Sequence, residues 1–153
     1  MLFDAGVLIG ALLAGEPRHA EARPLVESAR RGDTSACTTT GILSEVYAAL
    51  TWQQARPPHD PARAADAVRR LVEPPSTIRI LEDGPDVAHR MLRLAAAHQL
   101  RARSVHDARH AAAAAVAGVT SVFTYDADDS AAFAGDGLSV TGSASTMARL
   151  GRS

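Results

Sequence analysis

Short apolar runs alternate along the chain with longer stretches in which apolar residues recur every three or four positions. Met1–Phe3 is an apolar start that stops at Asp4. A helical run over Val7–Ala14 is broken by Gly15-Glu16-Pro17. Arg18–Arg31 reads as an amphipathic helix with Ala22, Leu25, Val26 and Ala29 on one face, closed by Gly32-Asp33. Ser35–Thr39 is rich in Thr and suits a strand. Thr39 or Thr40 then caps a helix over Ile42–Gln54, whose Ile42, Val46, Ala49 and Leu50 keep helical spacing. Glu45 falls on that same face, where an acid is unexpected.

The second half repeats the alternation. Asp60-Pro61 is a strong helix start, with Asp as cap and Pro in the first turn, and the helix runs to about Val72 before Pro74-Pro75. Thr77–Leu81 alternates like a strand. A helix begins at Asp83 to Pro85 and carries Val87, Met91, Leu94 and Ala95 on one face. Arg101–Ser104 is a polar connector. Asp107 opens an Ala-rich helix, Ala108–Ala117, stopped by Gly118. Val119–Thr124 is the clearest strand and ends at Tyr125-Asp126. A short helix around Ser130–Phe133 and a last strand over Leu138–Val140 complete the pattern. Strands alternating with helices predict an α/β sandwich with a mainly parallel sheet. We expect one domain over residues 1–141 and a flexible tail over 142–153.

Composition narrows the class. A chain of 153 residues can bury about two-thirds of its unfolded surface, so folding needs no metal or disulfide. Aromatics are only 4%, which leaves an aliphatic, Ala-rich core. The lone Cys37 excludes an internal disulfide and fits a reducing compartment. The start has no basic region and Val7–Ala14 is too short to span a bilayer, so a cytoplasmic protein without membrane attachment is expected. Net charge is −1, so attraction of a nucleic acid would have to be local. All basic residues are Arg; genome composition is the ordinary explanation for the absence of Lys, and because Arg binds phosphate bidentately the content is compatible with such a substrate.

Four carboxylates stand in or beside apolar segments: Asp4, Glu45, Asp107 and Asp126. Ligands of open parallel sheets bind beyond the carboxyl ends of the strands, and Asp4 and Asp126 each follow a strand. Each acid also has an ordinary reading. Asp4 and Asp107 suit helix caps, Asp126 suits a turn, and Glu45 can turn to water or pair with Arg. Acids gathered near a core repel one another and need a compensating charge, for which a divalent cation, Mg²⁺ or Mn²⁺, is the natural candidate. The joint arrangement points to a hydrolase acting on phosphodiesters.

Residues Leu2-Phe3-Asp4-Ala5-Gly6-Val7-Leu8-Ile9, Ser44-Glu45-Val46, His106-Asp107-Ala108-Arg109-His110 with the Ala run that follows, and Val122-Phe123-Thr124-Tyr125-Asp126 carry a resemblance. In that order and spacing the chain resembles the PIN-domain family, and within it the VapC-type ribonuclease toxins. The resemblance implies a PIN-like α/β/α sandwich and metal-dependent endoribonuclease activity, with Asp4 and Asp107 as direct ligands and Glu45 and Asp126 holding a second ion or orienting waters. It further implies an RNA substrate, a homodimer and a small antitoxin protein partner. Arg101, Arg103 and Arg109 flank Asp107 and are candidate contacts to RNA phosphates. The sequence departs from the family at Gly6, where a hydroxyl or amide usually stands; Thr124 is the residue expected to supply part of that hydrogen bonding.

Other residues have bland readings. His106 and His110 suit a helix surface, since hard Mg²⁺ does not favour imidazole. Asp128 or Asp129 can stand in for Asp126, and Tyr47 and Trp52 suit packing or an interface. A phosphatase using Asp4 as nucleophile lacks the late Lys such folds need. The remaining alternative is a catalytically degenerate PIN-fold module that holds a partner protein.

Overall fold

The computed structural model of the chain describes residues 1–126, 133 and 136–142. Five short strands form one sheet in the order β3-β2-β1-β4-β5: β1 (Leu2–Phe3), β2 (Cys37–Thr39), β3 (Arg79–Leu81), β4 (Ser121–Phe123) and β5 (Ser139–Thr141). β4 and β5 run parallel with Val122 opposite Val140. Six helices accompany them among the described residues: α1 (Ala5–Leu12), α2 (His19–Arg31), α3 (Thr40–Thr51), α4 (Pro61–Val72), α5 (Pro85–Ala97) and α6 (Val105–Val116). The result is the expected α/β/α sandwich around a mainly parallel sheet. Strands that run parallel cannot be joined by tight turns, and among the described residues helices lie between β1 and β2, β2 and β3, and β3 and β4. Among the described residues no helix is long and apolar enough to cross a membrane.

The chain forms two compact units: Phe3–Ile80, and Met1–Leu2 together with the chain from Leu81 on. In the first, α1 packs on α2 and α3, and α3 packs on α4. Phe3, Val7, Leu8, Leu13, Ala22, Val26, Ile42, Val46 and Leu50 are almost wholly buried there. In the second, α5 packs on α6. The core face of α6 is a run of small side chains, Ala108, Ala111, Ala112, Ala113 and Ala114, which lets a neighbour approach closely.

Element ends differ from expectation where a side chain or backbone group sets them. α1 begins at Ala5 rather than Val7, because Asp4 Oδ1 accepts the Ala5 N–H at 2.7 Å. α3 begins at Thr40 and stops at Thr51; the buried Thr39 hydroxyl caps it by accepting the Ile42 N–H at 3.1 Å. α4 has its expected ends, with Asp60 Oδ1 accepting the Arg63 N–H at 3.0 Å and Pro61 in the first turn. α6 begins at Val105, three residues before the expected Ala108, because the connector winds into a 3₁₀ turn (Ala102–Ser104) that runs straight into it. The helix expected around Ser130–Phe133 lies outside the described residues apart from Phe133, which is in a turn. The tail expected at 142–153 lies outside them apart from Gly142.

Candidate active-site carboxylates

The unit Phe3–Ile80 carries two of the four acids. β1 buries both its residues, and the chain leaves it at Asp4 in an extended conformation, φ −73° and ψ 162°. Asp4 is half-buried and caps α1 with Oδ1, while its carbonyl accepts from Val7 and Leu8. This places a carboxylate at the positive end of the α1 dipole, where negative charge is favoured. Gly6, two residues on, is exposed, and a Cβ built on it would meet nothing within 4 Å. Among the described residues, a side chain at position 6 would therefore have open space at its Cβ. Glu45 sits in the second turn of α3, the helix that α1 packs against. The expected inward direction is corrected by the structure: Glu45 is exposed, beside the buried stripe of Ile42, Val46 and Leu50. An apolar face is only about a hundred degrees wide, and Glu45 falls just past its edge.

The other unit carries Asp107 and Asp126. Asp107 is half-buried in the first turn of α6, inside the helix rather than as its cap, again where the dipole favours an acid. Asp126 follows β4 and is exposed. Thr124 is fully buried; its hydroxyl accepts the Asp126 N–H at 3.0 Å, and its own N–H donates to the Thr141 carbonyl at 3.1 Å. Arg101 and Arg103 are exposed around the 3₁₀ turn. Arg109 is differently engaged from expectation: its Nε donates to Asp83 Oδ2 at 2.8 Å and its Nη2 bonds the same oxygen. It ties the entry of α5 to α6. His106 is exposed and His110 is buried on the Ala face.

Among the described residues, no three His, Cys, Asp or Glu side chains stand together as a ready-made metal cage. Mg²⁺ does not need one: it keeps several waters and is commonly held through one or two carboxylates plus substrate phosphate. The donor chemistry of these acids is oxygen only and fits such a hard cation. It does not fit Zn²⁺, which prefers Cys and His.

The PIN domain model matches residues 1–134, and the chain belongs to the PIN domain family. Among solved structures, the fold is similar to the crystal structure of VapC20 of Mycobacterium tuberculosis, described as a sarcin–ricin loop cleaving toxin. The TM-score is 0.67 at 22% identity, over 86% of this chain and 93% of that one. No curated protein matches the chain in sequence.

Proposed function

We propose that this protein is a metal-dependent endoribonuclease, the toxin of a type II toxin–antitoxin pair, acting in the cytoplasm. The observation that carries the reading is the PIN domain match together with Asp4 and Asp107, each half-buried at the N-terminal end of a helix. The likeness in fold to a toxin that cleaves an RNA loop supports the toxin assignment.

Asp4 and Asp107 are the proposed direct ligands of Mg²⁺ or Mn²⁺, and Glu45 and Asp126 are proposed to hold a second ion or its waters. When bound, the metal supplies Lewis-acid stabilisation of phosphate charge and an activated water. The chain's own residues do the rest. Asp4 and Asp107 each stand at the N-terminal end of a helix, α1 and α6, where the dipole favours negative charge. Thr124 fixes the backbone at Asp126 and so fixes where that carboxylate starts. Arg101 and Arg103, exposed beside α6, are the proposed contacts to RNA phosphates. Arg109 is assigned a positioning role through Asp83. A homodimer and a small antitoxin are the proposed protein partners.

Gly6 favours the second reading, a PIN-fold module without catalysis, since it carries no side chain where the resemblance implies a polar one and, among the described residues, nothing lies within 4 Å of its built Cβ. Titration calorimetry with Mn²⁺ separates the two. The enzyme reading predicts binding that Asp4→Asn removes; no binding by the wild-type protein sinks it.

A further inference from the structure

The unit Phe3–Ile80 holds a cleft of about 580 Å³ that touches none of the four acids. It lies where the C-terminal end of α1 meets α2 and α4, and is lined by His19, Arg23, His59, Arg63, Asp66 and Arg70. Leu12 at its rim is eight residues beyond Asp4, which along a helix is about 12 Å.

The charges facing it are not balanced. Asp66 is spent on Arg70, at 2.7 Å, and on Arg69. Glu27, the other acid in the lining, is paired with Arg30 at 2.9 Å. Arg23 and Arg63 are exposed and, among the described residues, enter no ion pair. Two guanidinium groups thus face one cleft with no carboxylate assigned to them. His59 is only 9% exposed, and its Nδ1 has no hydrogen-bond partner among the described residues. Burial pushes the His59 pKa down; the Arg63 charge pushes the same way, and Asp60 opposes it. His19 donates from Nδ1 to the Gly10 carbonyl at 2.8 Å, so its Nε2 is turned to the other side.

Among the described residues, no three His, Cys, Asp or Glu side chains gather here as soft-metal ligands would. An anion is the ligand this inventory fits. Guanidinium forks match phosphate oxygens bidentately, whereas the N-terminal end of α4 is already capped by Asp60 and contributes nothing to the site.

We propose that this cleft is a phosphate-binding site, with Arg23 and Arg63 as its anchors, used by a backbone phosphate of the RNA strand. The RNA source rests on the ribonuclease reading above; the phosphate site itself does not.

The test avoids cleavage altogether. The full chain is kept in EDTA, and its thermal midpoint is followed as inorganic phosphate is added at constant ionic strength. Binding of a single-stranded RNA oligonucleotide is measured across a salt series. Wild type is compared with the double variant Arg23→Gln/Arg63→Gln and with Arg23→Lys/Arg63→Lys, which keeps the charges. Both sites are exposed helix positions, where Gln and Lys are well tolerated.

Phosphate is expected to raise the wild-type midpoint by a few degrees, by mass action on the folded state. The Gln variant loses that rise and the Lys variant keeps part of it. The slope of log affinity against log salt is expected to fall by about 0.7 for each phosphate contact removed. Loss of phosphate protection with an unchanged RNA slope supports the site but assigns it to a small free phosphate. Absence of phosphate protection in the wild type, with equal RNA slopes in all three proteins, overturns the proposal. Because the metal is absent, that failure leaves the nuclease reading standing.

Discussion

The buried hydroxyl of Thr124 accepts the backbone N–H of Asp126 at 3.0 Å. One side chain therefore fixes the point from which an exposed carboxylate leaves the sheet. Thr124→Val keeps the shape and removes the acceptor. It is expected to destabilise the fold by about 1 kcal/mol, the usual cost of one unmade hydrogen bond, and to lower RNA cleavage several-fold. Thr124→Ser is expected to restore cleavage. Urea unfolding and a cleavage assay on the three proteins check both effects, and equal cleavage by the Val variant would remove Thr124 from the site.

Gly6 leaves open space on α1. Gly6→Ser introduces a hydroxyl there, and among the described residues nothing lies within 4 Å of the added Cβ. Ser has the better helix propensity, so stability is expected to rise by about 0.5 kcal/mol. Mn²⁺ affinity is expected to rise as well. A calorimetric titration that finds Mn²⁺ binding unchanged in the variant would show that position 6 has no part in the site, and weaker binding would contradict the expected gain.

Arg109 is bound to Asp83 rather than presented alone. Arg109→Gln is therefore expected to lower stability, by up to about 1 kcal/mol for a partly exposed ion pair, and to leave the salt slope of RNA binding unchanged. Arg101→Gln, at an exposed position, is expected to do the reverse. Denaturation midpoints and salt-dependent binding distinguish the two patterns.

His59 has a pKa below its ordinary value, chiefly through burial, with Arg63 adding and Asp60 opposing. The folded state therefore binds fewer protons than the unfolded state near that value. By linkage, stability rises with pH: it is fully present above the unfolded His pKa of about 6.5 and declines as pH falls below it. His59→Gln is expected to flatten that decline. Thermal midpoints from pH 7.5 to 5 in both proteins provide the comparison.

Local chemistry was readable in the sequence wherever it was sufficient. α4 has its expected start and end because Asp60, Pro61 and Pro74-Pro75 act within a few residues of where they stand. The α1 start was misplaced by two residues because helical periodicity shows first at Val7, whereas the capping carboxylate of Asp4 allows the helix to begin at Ala5. Asp107 was expected as a cap and lies inside α6, since a 3₁₀ turn rather than a side chain leads into the helix. Glu45 shows the limit of spacing: three residues from Ile42 is adjacent to the buried stripe, and adjacent was enough for exposure. The Arg109–Asp83 pair joins residues 26 positions apart and leaves no local trace. The same holds for the cleft at Arg23 and Arg63, whose lining comes from three helices. The candidate acids themselves were visible as acids beside apolar segments, and the structure adds which are half-buried at helix N-termini.

The central claim is that carboxylates of this chain hold a hard cation that cleaves RNA, and Asp107 tests it most directly. Wild type and Asp107→Asn are incubated with single-stranded RNA in Mg²⁺ and in EDTA. Asn keeps the size and the helix while removing the charge. We predict cleavage by the wild type in Mg²⁺ alone, and a fall on the order of 100-fold or more in the variant, matching the loss of several kcal/mol of metal-borne stabilisation. Cleavage by Asp107→Asn at the wild-type rate, or wild-type cleavage that persists in EDTA, contradicts it.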